Sequence, residues 1–99
     1  MFPDVRERTA RAVAEAEAAL ERRQAAEPGS AEHADAQRDV ETVISRWARE
    51  MEALGLEAKG PWLVDFDTGA GYYCWKWPEA DLAHFHGYEE GFSGRVRIQ

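Results

Sequence analysis

The feature that most constrains the fold of this chain is an abrupt change in composition between Gly55 and Gly60. Residues before it are rich in alanine, glutamate and arginine, which favour helix. Nine of the eleven aromatic residues come after it, and aromatic sequence favours strand. A chain of 99 residues has the length of one domain. We therefore predict a single α+β domain, helical over residues 1–58, with a small sheet and a C-terminal tail over residues 59–99.

Two segments of the helical part carry apolar side chains at three- and four-residue spacing, which places them on one helix face. They are Phe2, Val5, Thr9, Ala12, Val13, Ala16, Ala19 and Leu20 in the first segment, and Val40, Val43, Ile44, Trp47, Met51 and Leu54 in the second. Pro3 suits a first helical turn, Ser30 is a good N-cap, and Gly55 fits a C-terminal cap. Two helices of roughly 24 residues with a short connection indicate a long antiparallel hairpin.

The second part of the chain is patterned as three short strands that form an antiparallel β-meander. Strands are predicted at Trp62–Phe66, Tyr72–Trp77 and Leu82–His86, with turns at Asp67–Gly71 and Pro78–Asp81. Tyr73, Trp75 and Trp77 alternate along the second strand, so they share one face, and we expect that face to be the core surface.

Charge and composition exclude several classes of partner. The formal net charge is -7, which disfavours binding to nucleic acid or to an anionic membrane surface. The first thirteen residues carry charges throughout, unlike a secretory signal, and no apolar run approaches the length of about 20 residues that spans a membrane. A single cysteine forms no disulfide within the chain. We therefore expect a cytoplasmic protein with no nucleic-acid or membrane partner.

Four short blocks in the second part resemble a known family. The blocks read GPWLVDF at Gly60–Phe66, CWK at Cys74–Lys76, AHFH at Ala83–His86 and GFSGR at Gly91–Arg95. Together they resemble the bacterial and archaeal family catalogued as domain of unknown function 2203, in which a long helical hairpin precedes such blocks. Trp77-Pro78 stands where members often carry Leu-Gly. The resemblance implies the fold, and it implies no activity because the family name carries none.

The most concrete candidate for chemistry is the stretch HFHGYEE. Residues i and i+2 of a strand point to the same side, so His84 and His86 share a face and can chelate one divalent metal. Glu90 or Glu89, in the following turn, can supply a third ligand, giving a His-x-His-x3-Glu site for zinc or iron with open coordination positions. The alternative is structural, with one histidine hydrogen-bonded within the fold and the other solvated.

Three further residues complete the set of candidates. Asp65 lies inside an apolar strand, where a buried carboxylate needs a partner, and we predict that Arg95 is this partner. Arg95, in the glycine-rich GFSGR segment, is also a candidate for an anion or substrate contact, together with Cys74. We expect Cys74 to be buried and inert, and to become a candidate metal ligand if it lies beside His84 on the neighbouring strand.

Two functions from different classes stay open on these observations. The first is a small metal-binding protein, with or without an enzymatic activity, whose site contains the two histidines. The second is a non-enzymatic oligomerisation or interaction module, in which the alanine-rich face of the hairpin forms a homodimer. A homo-oligomer is compatible with both functions, so metal content rather than oligomeric state separates them.

Overall fold

The structure, a computed structural model, describes residues 1–98 and contains two long helices followed by a five-stranded antiparallel sheet. The elements are α1 (Phe2–Ala25), α2 (Ala31–Ala53), β1 (Glu57–Gly60), β2 (Leu63–Asp67), β3 (Tyr72–Lys76), β4 (His84–His86) and β5 (Val96–Arg97), with a 3-10 turn at Phe92–Gly94. The predicted α+β class and the helical hairpin are confirmed.

The chain divides into two compact units. The first contains Met1 and Pro3–Glu50, and the second contains Phe2 and the residues from Met51 onward. The division lies inside the last turns of α2, earlier than the composition change at residue 58. The end of α2 joins the second unit locally, since the Leu56 N–H donates to the Met51 carbonyl at 3.1 Å.

The ends of the helices are formed by the residues that the sequence predicted. Pro3 lies in the first turn of α1, where its missing N–H leaves no hydrogen bond unmade. The Ser30 side chain caps α2, because its Oγ accepts a hydrogen bond from the His33 N–H at 3.1 Å. Gly55 follows α2 with a φ of +83°, a conformation that favours glycine at a C-terminal cap.

The hairpin has a buried seam crossed by one polar contact. Trp47 of α2 donates its indole N–H to Thr9 Oγ1 of α1 at 2.8 Å, and the Thr9 hydroxyl donates to the Val5 carbonyl at 2.8 Å. Ala12, Ala16 and Ala19 of α1 are buried within the single chain. The alanine-rich face is therefore already covered, and a homodimer through the helices stays a prediction that requires another face.

Within residues 1–98, neither helix combines the length and the apolar character that crossing a bilayer requires. Both helices carry charged side chains along their exposed faces, as the pairs between Arg22 and Asp39 and between Arg46 and Glu15 illustrate.

The sheet contains the three predicted strands as β2, β3 and β4, but the predicted number of strands is wrong. β1, with the sequence EAKG, pairs with β2 across a register shift between Ala58 and Gly60. β5 has only two residues and pairs with β4. Neither segment is long enough to show the apolar alternation that identifies a strand. Both become strands because the backbone of a neighbouring strand offers them hydrogen bonds.

The two faces of the sheet differ in polarity. Val64 and Trp75 are partners across β2 and β3, and both are fully buried on the apolar face. Tyr73 shares that face and lies opposite Phe85, but it is 38% exposed. The expectation that the alternating aromatics form a core surface is thus confirmed for Trp75 and not for Tyr73. The opposite face carries the candidate site.

Candidate metal centre

The register of three adjacent strands places the polar residues of the sheet in line. Asp65 of β2 is the partner of Cys74 of β3, and Cys74 is the partner of His84 of β4. His86, two residues further along β4, is the partner of Tyr72. Side chains alternate between faces along a strand, so all of these residues lie on the face opposite Trp75.

A buried pair between Asp65 and His86 is the centre of this face. His86 Nε2 lies 3.0 Å from Asp65 Oδ2, and the two residues are only 4% and 3% exposed. His86 Nδ1 lies 2.8 Å from the Gly87 carbonyl, which only accepts, so Nδ1 carries a hydrogen. The remaining nitrogen, Nε2, therefore faces the Asp65 carboxylate.

The electrostatic surroundings of His86 favour its charged form. Burial by itself lowers the pKa of His86, but the hydrogen bonds to the Gly87 carbonyl and to Asp65 outweigh burial and raise it above the usual value. The prediction that Arg95 is the partner of Asp65 was wrong, because His86 is its partner. Arg95 binds Glu79 instead, because the turn at residues 78–81 brings that carboxylate to the guanidinium.

Cys74 completes the cluster. Its side chain is fully buried, and burial, reinforced by the neighbouring Asp65 carboxylate, raises the pKa of the thiol to about 12. A thiol with this pKa is protonated at neutral pH, so Cys74 is not an activated nucleophile. Asp65, Cys74 and His86 each present one ligand atom, and the three atoms lie within 4.8 Å of one another.

One oxygen of this cluster is incompletely satisfied. Among residues 1–98, no N–H or O–H group donates a hydrogen bond to the buried Asp65 Oδ1. Such atoms are rare in folded proteins because an unsatisfied buried oxygen loses the hydrogen bonds it makes with water. A bound cation would supply the missing interaction.

The ligand types and their charges suit a transition-metal ion. Carboxylate, imidazole and thiolate together form a donor set for zinc or iron, whereas calcium and magnesium take oxygen donors. A divalent ion with ionised Asp65, ionised Cys74 and neutral His86 would have a net charge of zero, which reduces the cost of burial. The Gly87 carbonyl already orients the imidazole with Nε2 as the available nitrogen.

The spacing of the ligand atoms is somewhat wider than in a bound site. Bonds of about 2.0–2.3 Å in a tetrahedral site place the ligand atoms about 3.3–3.8 Å apart. The present limit of 4.8 Å therefore requires contraction by about 1.5 Å at most, while the Asp65–His86 pair at 3.0 Å opens slightly.

The other residues of the predicted site lie at different distances from this cluster. His84 shares its face, as predicted, but its Nδ1 lies 3.5 Å from Glu79 Oε2 and makes no hydrogen bond within the described part of the chain. Glu89 is exposed. Glu90 folds back towards the sheet, and its Oε1 accepts a hydrogen bond from the Gly87 N–H at 3.1 Å. Of the two predicted histidines, only His86 joins the cluster of Asp65 and Cys74.

Arg95 and Glu79 form a second, partly buried group beside the cluster. Two nitrogens of the guanidinium bind the two oxygens of Glu79 at 2.9 and 2.8 Å. Burial raises the pKa of Glu79, but the hydrogen bonds from Arg95 and from the Lys76 backbone, together with the charge of Arg95, outweigh burial and lower the pKa overall. The guanidinium carbon also lies 4.1 Å from the centre of the Phe92 ring. This group fixes the GFSGR segment over the sheet.

A cavity of about 290 Å³ opens onto the cluster. Its walls come from strands β1 to β4 and from the segment that follows β4: Lys59, Leu63, Asp65, Tyr72, His86, Tyr88, Glu90, Gly91 and Phe92. Two residues of the metal-ligand cluster, Asp65 and His86, are thus reachable from this cavity, and so is the predicted ligand Glu90.

Gly71, at the start of β3, allows β4 to approach closely. A Cβ at this position would lie 2.5 Å from Phe85 Cζ and 2.7 Å from the His86 carbonyl oxygen. Both distances are shorter than real side chains tolerate, so glycine is required here if the backbone of His86 is to keep its place.

Asp65 was not predicted as a ligand, although the short turn between β2 and β3 is a sequence signal for its position opposite Cys74. The Thr68 N–H donates to the Gly71 carbonyl at 2.9 Å, which closes the turn and places Asp67 opposite Tyr72. From the Asp67–Tyr72 pair, Asp65 is two residues back along β2 and Cys74 is two residues forward along β3, so these two residues lie opposite each other. The role of Glu79 had no comparable signal, because it depends on the fold of the segment around Arg95.

Comparison with known proteins adds the family and nothing more specific. The family model described as an uncharacterized conserved protein (DUF2203) matches residues 1–98. No curated protein and no solved structure matches the chain. The resemblance carried by the four short blocks is thus confirmed over nearly the whole chain, including the helical hairpin.

Proposed function

We propose that this chain, which belongs to the DUF2203 family of uncharacterized conserved proteins, binds one divalent transition-metal ion through Asp65, Cys74 and His86. The family description names no activity, so the proposal depends on the geometry of the site. The observation that carries it is that three adjacent strands each contribute one buried ligand atom, all within 4.8 Å, while Asp65 Oδ1 lacks a partner.

Zinc is the first candidate for this ion and iron is the second. Three protein ligands leave one tetrahedral position for water or substrate, as in catalytic zinc sites. The cavity reaches Asp65 and His86, which supports an open position on that side. If the protein is an enzyme, a metal-bound water of lowered pKa would be its nucleophile, and hydrolysis would be its class of reaction.

The first test is the metal content of the tag-free protein, measured by elemental mass spectrometry after purification and again after reconstitution with zinc, iron, cobalt, nickel or manganese. We expect close to one ion per chain. Asp65→Asn, Cys74→Ala and His86→Gln should each weaken zinc binding more than about 100-fold, because loss of even an outer-sphere partner costs about 10–100-fold. His33→Ala, in the first turns of α2, is the matched histidine control and should bind normally.

The same titrations separate this ligand set from the one predicted by His-x-His-x3-Glu. His84→Ala and Glu90→Gln should each weaken zinc binding less than any of the three ligand substitutions, because these residues lie outside the proposed coordination sphere. Cobalt-loaded protein should show a thiolate-to-cobalt absorption band that disappears in Cys74→Ala. Loss of binding in His84→Ala with retention in Asp65→Asn would move the site to the two histidines. No metal in the parent protein, even after reconstitution, would reject the proposal.

A further inference from the structure

The wall of the cavity beside the cluster contains one lysine, Lys59, in addition to the proposed ligand His86. Lys59 Nζ lies 3.3 Å from Glu57 Oε1, and the two side chains are 46% and 45% exposed. An ion pair this exposed contributes little to stability, so Lys59 is available to a ligand at small cost.

The acids around the cavity are already engaged within the protein. The Tyr72 hydroxyl donates to Glu57, a bond that raises the pKa of Tyr72 to about 12. The Glu90 carboxylate accepts from the Gly87 N–H at 3.1 Å. Asp65 would be neutralised by the proposed metal. The charge of the proposed metal is balanced by its own ligands, so Lys59 is the positive side chain that a ligand would meet in the wall.

The rest of the cavity wall is apolar or aromatic. Leu63 and Phe92 both line the cavity, and the Phe92 ring is held in place by the Arg95 guanidinium at 4.1 Å. The rings of Tyr72 and Tyr88 meet edge to face, with centroids 5.1 Å apart. Such walls favour a flat apolar body.

We infer that the cavity binds a small monoanionic carboxylate with a flat apolar body, an inference that rests on the proposed metal site. One carboxylate oxygen fills the open position on the metal, and Lys59 balances its charge. The body of the ligand lies against Leu63 and Phe92. An organic ammonium has no lone pair for the open position on the metal and would be repelled by Lys59, and the Glu90 carboxylate would repel a phosphate dianion more strongly than a monoanion.

Cobalt-loaded protein tests this inference directly, because a ligand that enters the coordination sphere changes the visible absorption of cobalt. Benzoate, benzamide, benzylamine and inorganic phosphate are titrated separately at constant ionic strength. We expect benzoate to bind at least tenfold more tightly than the other three. Lys59→Met should weaken benzoate about fivefold, the effect of losing one exposed ion pair, and leave benzamide unchanged. Arg97→Met, a loss of positive charge on β5 outside the cavity wall, is the matched control.

The outcomes distinguish failure of this inference from failure of the metal site. If the protein does not bind cobalt, the proposed function fails first. If cobalt binds but benzamide, benzylamine or phosphate equals benzoate, the metal site stands and the carboxylate specificity is rejected. Benzoate binding that is insensitive to Lys59→Met, or that Arg97→Met weakens equally, also overturns the assignment of Lys59.

Discussion

Two buried polar clusters, one in the hairpin and one in the sheet, stand out within residues 1–98, and their hydrogen bonds are satisfied to different degrees. In the hairpin, the Trp47 indole donates to the Thr9 hydroxyl, which donates to the Val5 carbonyl, so each donor in this short chain has an acceptor. In the sheet, Asp65 and His86 are ionisable, Cys74 is beside them, and Asp65 Oδ1 has no partner. The first cluster is neutral and complete, whereas the second is ionisable and incomplete.

The two clusters separate buried polar groups that stabilise the fold from buried polar groups that are available to bind a ligand. A neutral chain of hydrogen bonds replaces the bonds to water that its members lose on folding, and nothing needs to be added. A buried carboxylate with one unsatisfied oxygen would be stabilised by a proton, a hydrogen-bond donor or a cation. The structural cluster therefore belongs to the hairpin, and the cluster suited to a ligand belongs to the sheet.

The largest effect is expected from removing the charge at the centre of the sheet cluster. Asp65→Ala in metal-free protein should lower the free energy of unfolding by about 3–5 kcal/mol, because it leaves His86 without its buried partner. Urea unfolding followed by tryptophan fluorescence, in the presence of a chelator, measures this. Asp65→Asn should cost less, since its amide can donate to His86 Nε2. A cost for Asp65→Ala below about 1 kcal/mol, typical of an exposed pair, would contradict the described burial.

A smaller effect is expected in the hairpin. Thr9→Val removes the hydroxyl that accepts from the buried Trp47 indole N–H and should cost about 1–3 kcal/mol in the same urea assay. Thr9→Ser keeps the hydroxyl and separates the loss of the methyl group from the loss of the hydrogen bond. If the valine variant is as stable as the parent, the Trp47–Thr9 bond has no structural role and the contrast with the sheet cluster is lost.

The pH dependence of stability should differ in sign between the metal-free and the metal-bound protein. The pKa of His86 is raised in the fold, so its stabilising contribution is fully present below the unfolded value of about 6.5 and is lost as pH rises through the folded pKa. Metal affinity should instead increase over this range, because binding releases protons from His86 and Cys74. Thermal unfolding at several pH values, with and without zinc, checks both slopes. Equal slopes for both forms would show that metal does not displace the His86 proton.

The smallest effect is expected from the ion pairs on the helix surface. Arg22 and Asp39 lie 2.7 Å apart, yet both side chains are more than half exposed. Arg22→Ala should therefore change the free energy of unfolding by about 0–1 kcal/mol, and the change should shrink in high salt. A cost comparable with that of Asp65→Ala would mean that charge matters equally in the two units.

The sequence predicted those parts of the molecule that depend on neighbouring residues in the chain. Pro3, Ser30 and Gly55 act at helix ends through their own backbone and side-chain chemistry, so these helix ends could be predicted from the sequence. The three central strands, β2 to β4, could be predicted from the alternation of apolar and polar residues. Strands β1 and β5 were not, because short segments become strands only when a neighbouring backbone offers hydrogen bonds.

The candidate site was predictable in part for the same reason. The position of His86 on the face of β4 follows from alternation alone. Its pairing with Asp65 joins residues 21 positions apart, and it required the register of two hairpins as well as the path of the chain after β4. Arg95 was assigned to the wrong acid because Glu79 reaches it only once the turn after β3 has formed.

Gly71 has a consequence for how variation in this chain should be interpreted. It contributes no ligand atom, yet any side chain there would collide with Phe85 and with the backbone of His86. In a saturation mutagenesis screen for metal retention, Gly71 should therefore score as intolerantly as the ligands themselves. Such a screen would identify four positions, which are the three proposed ligands and Gly71. Gly71 would be among them because it has no side chain that could collide with β4.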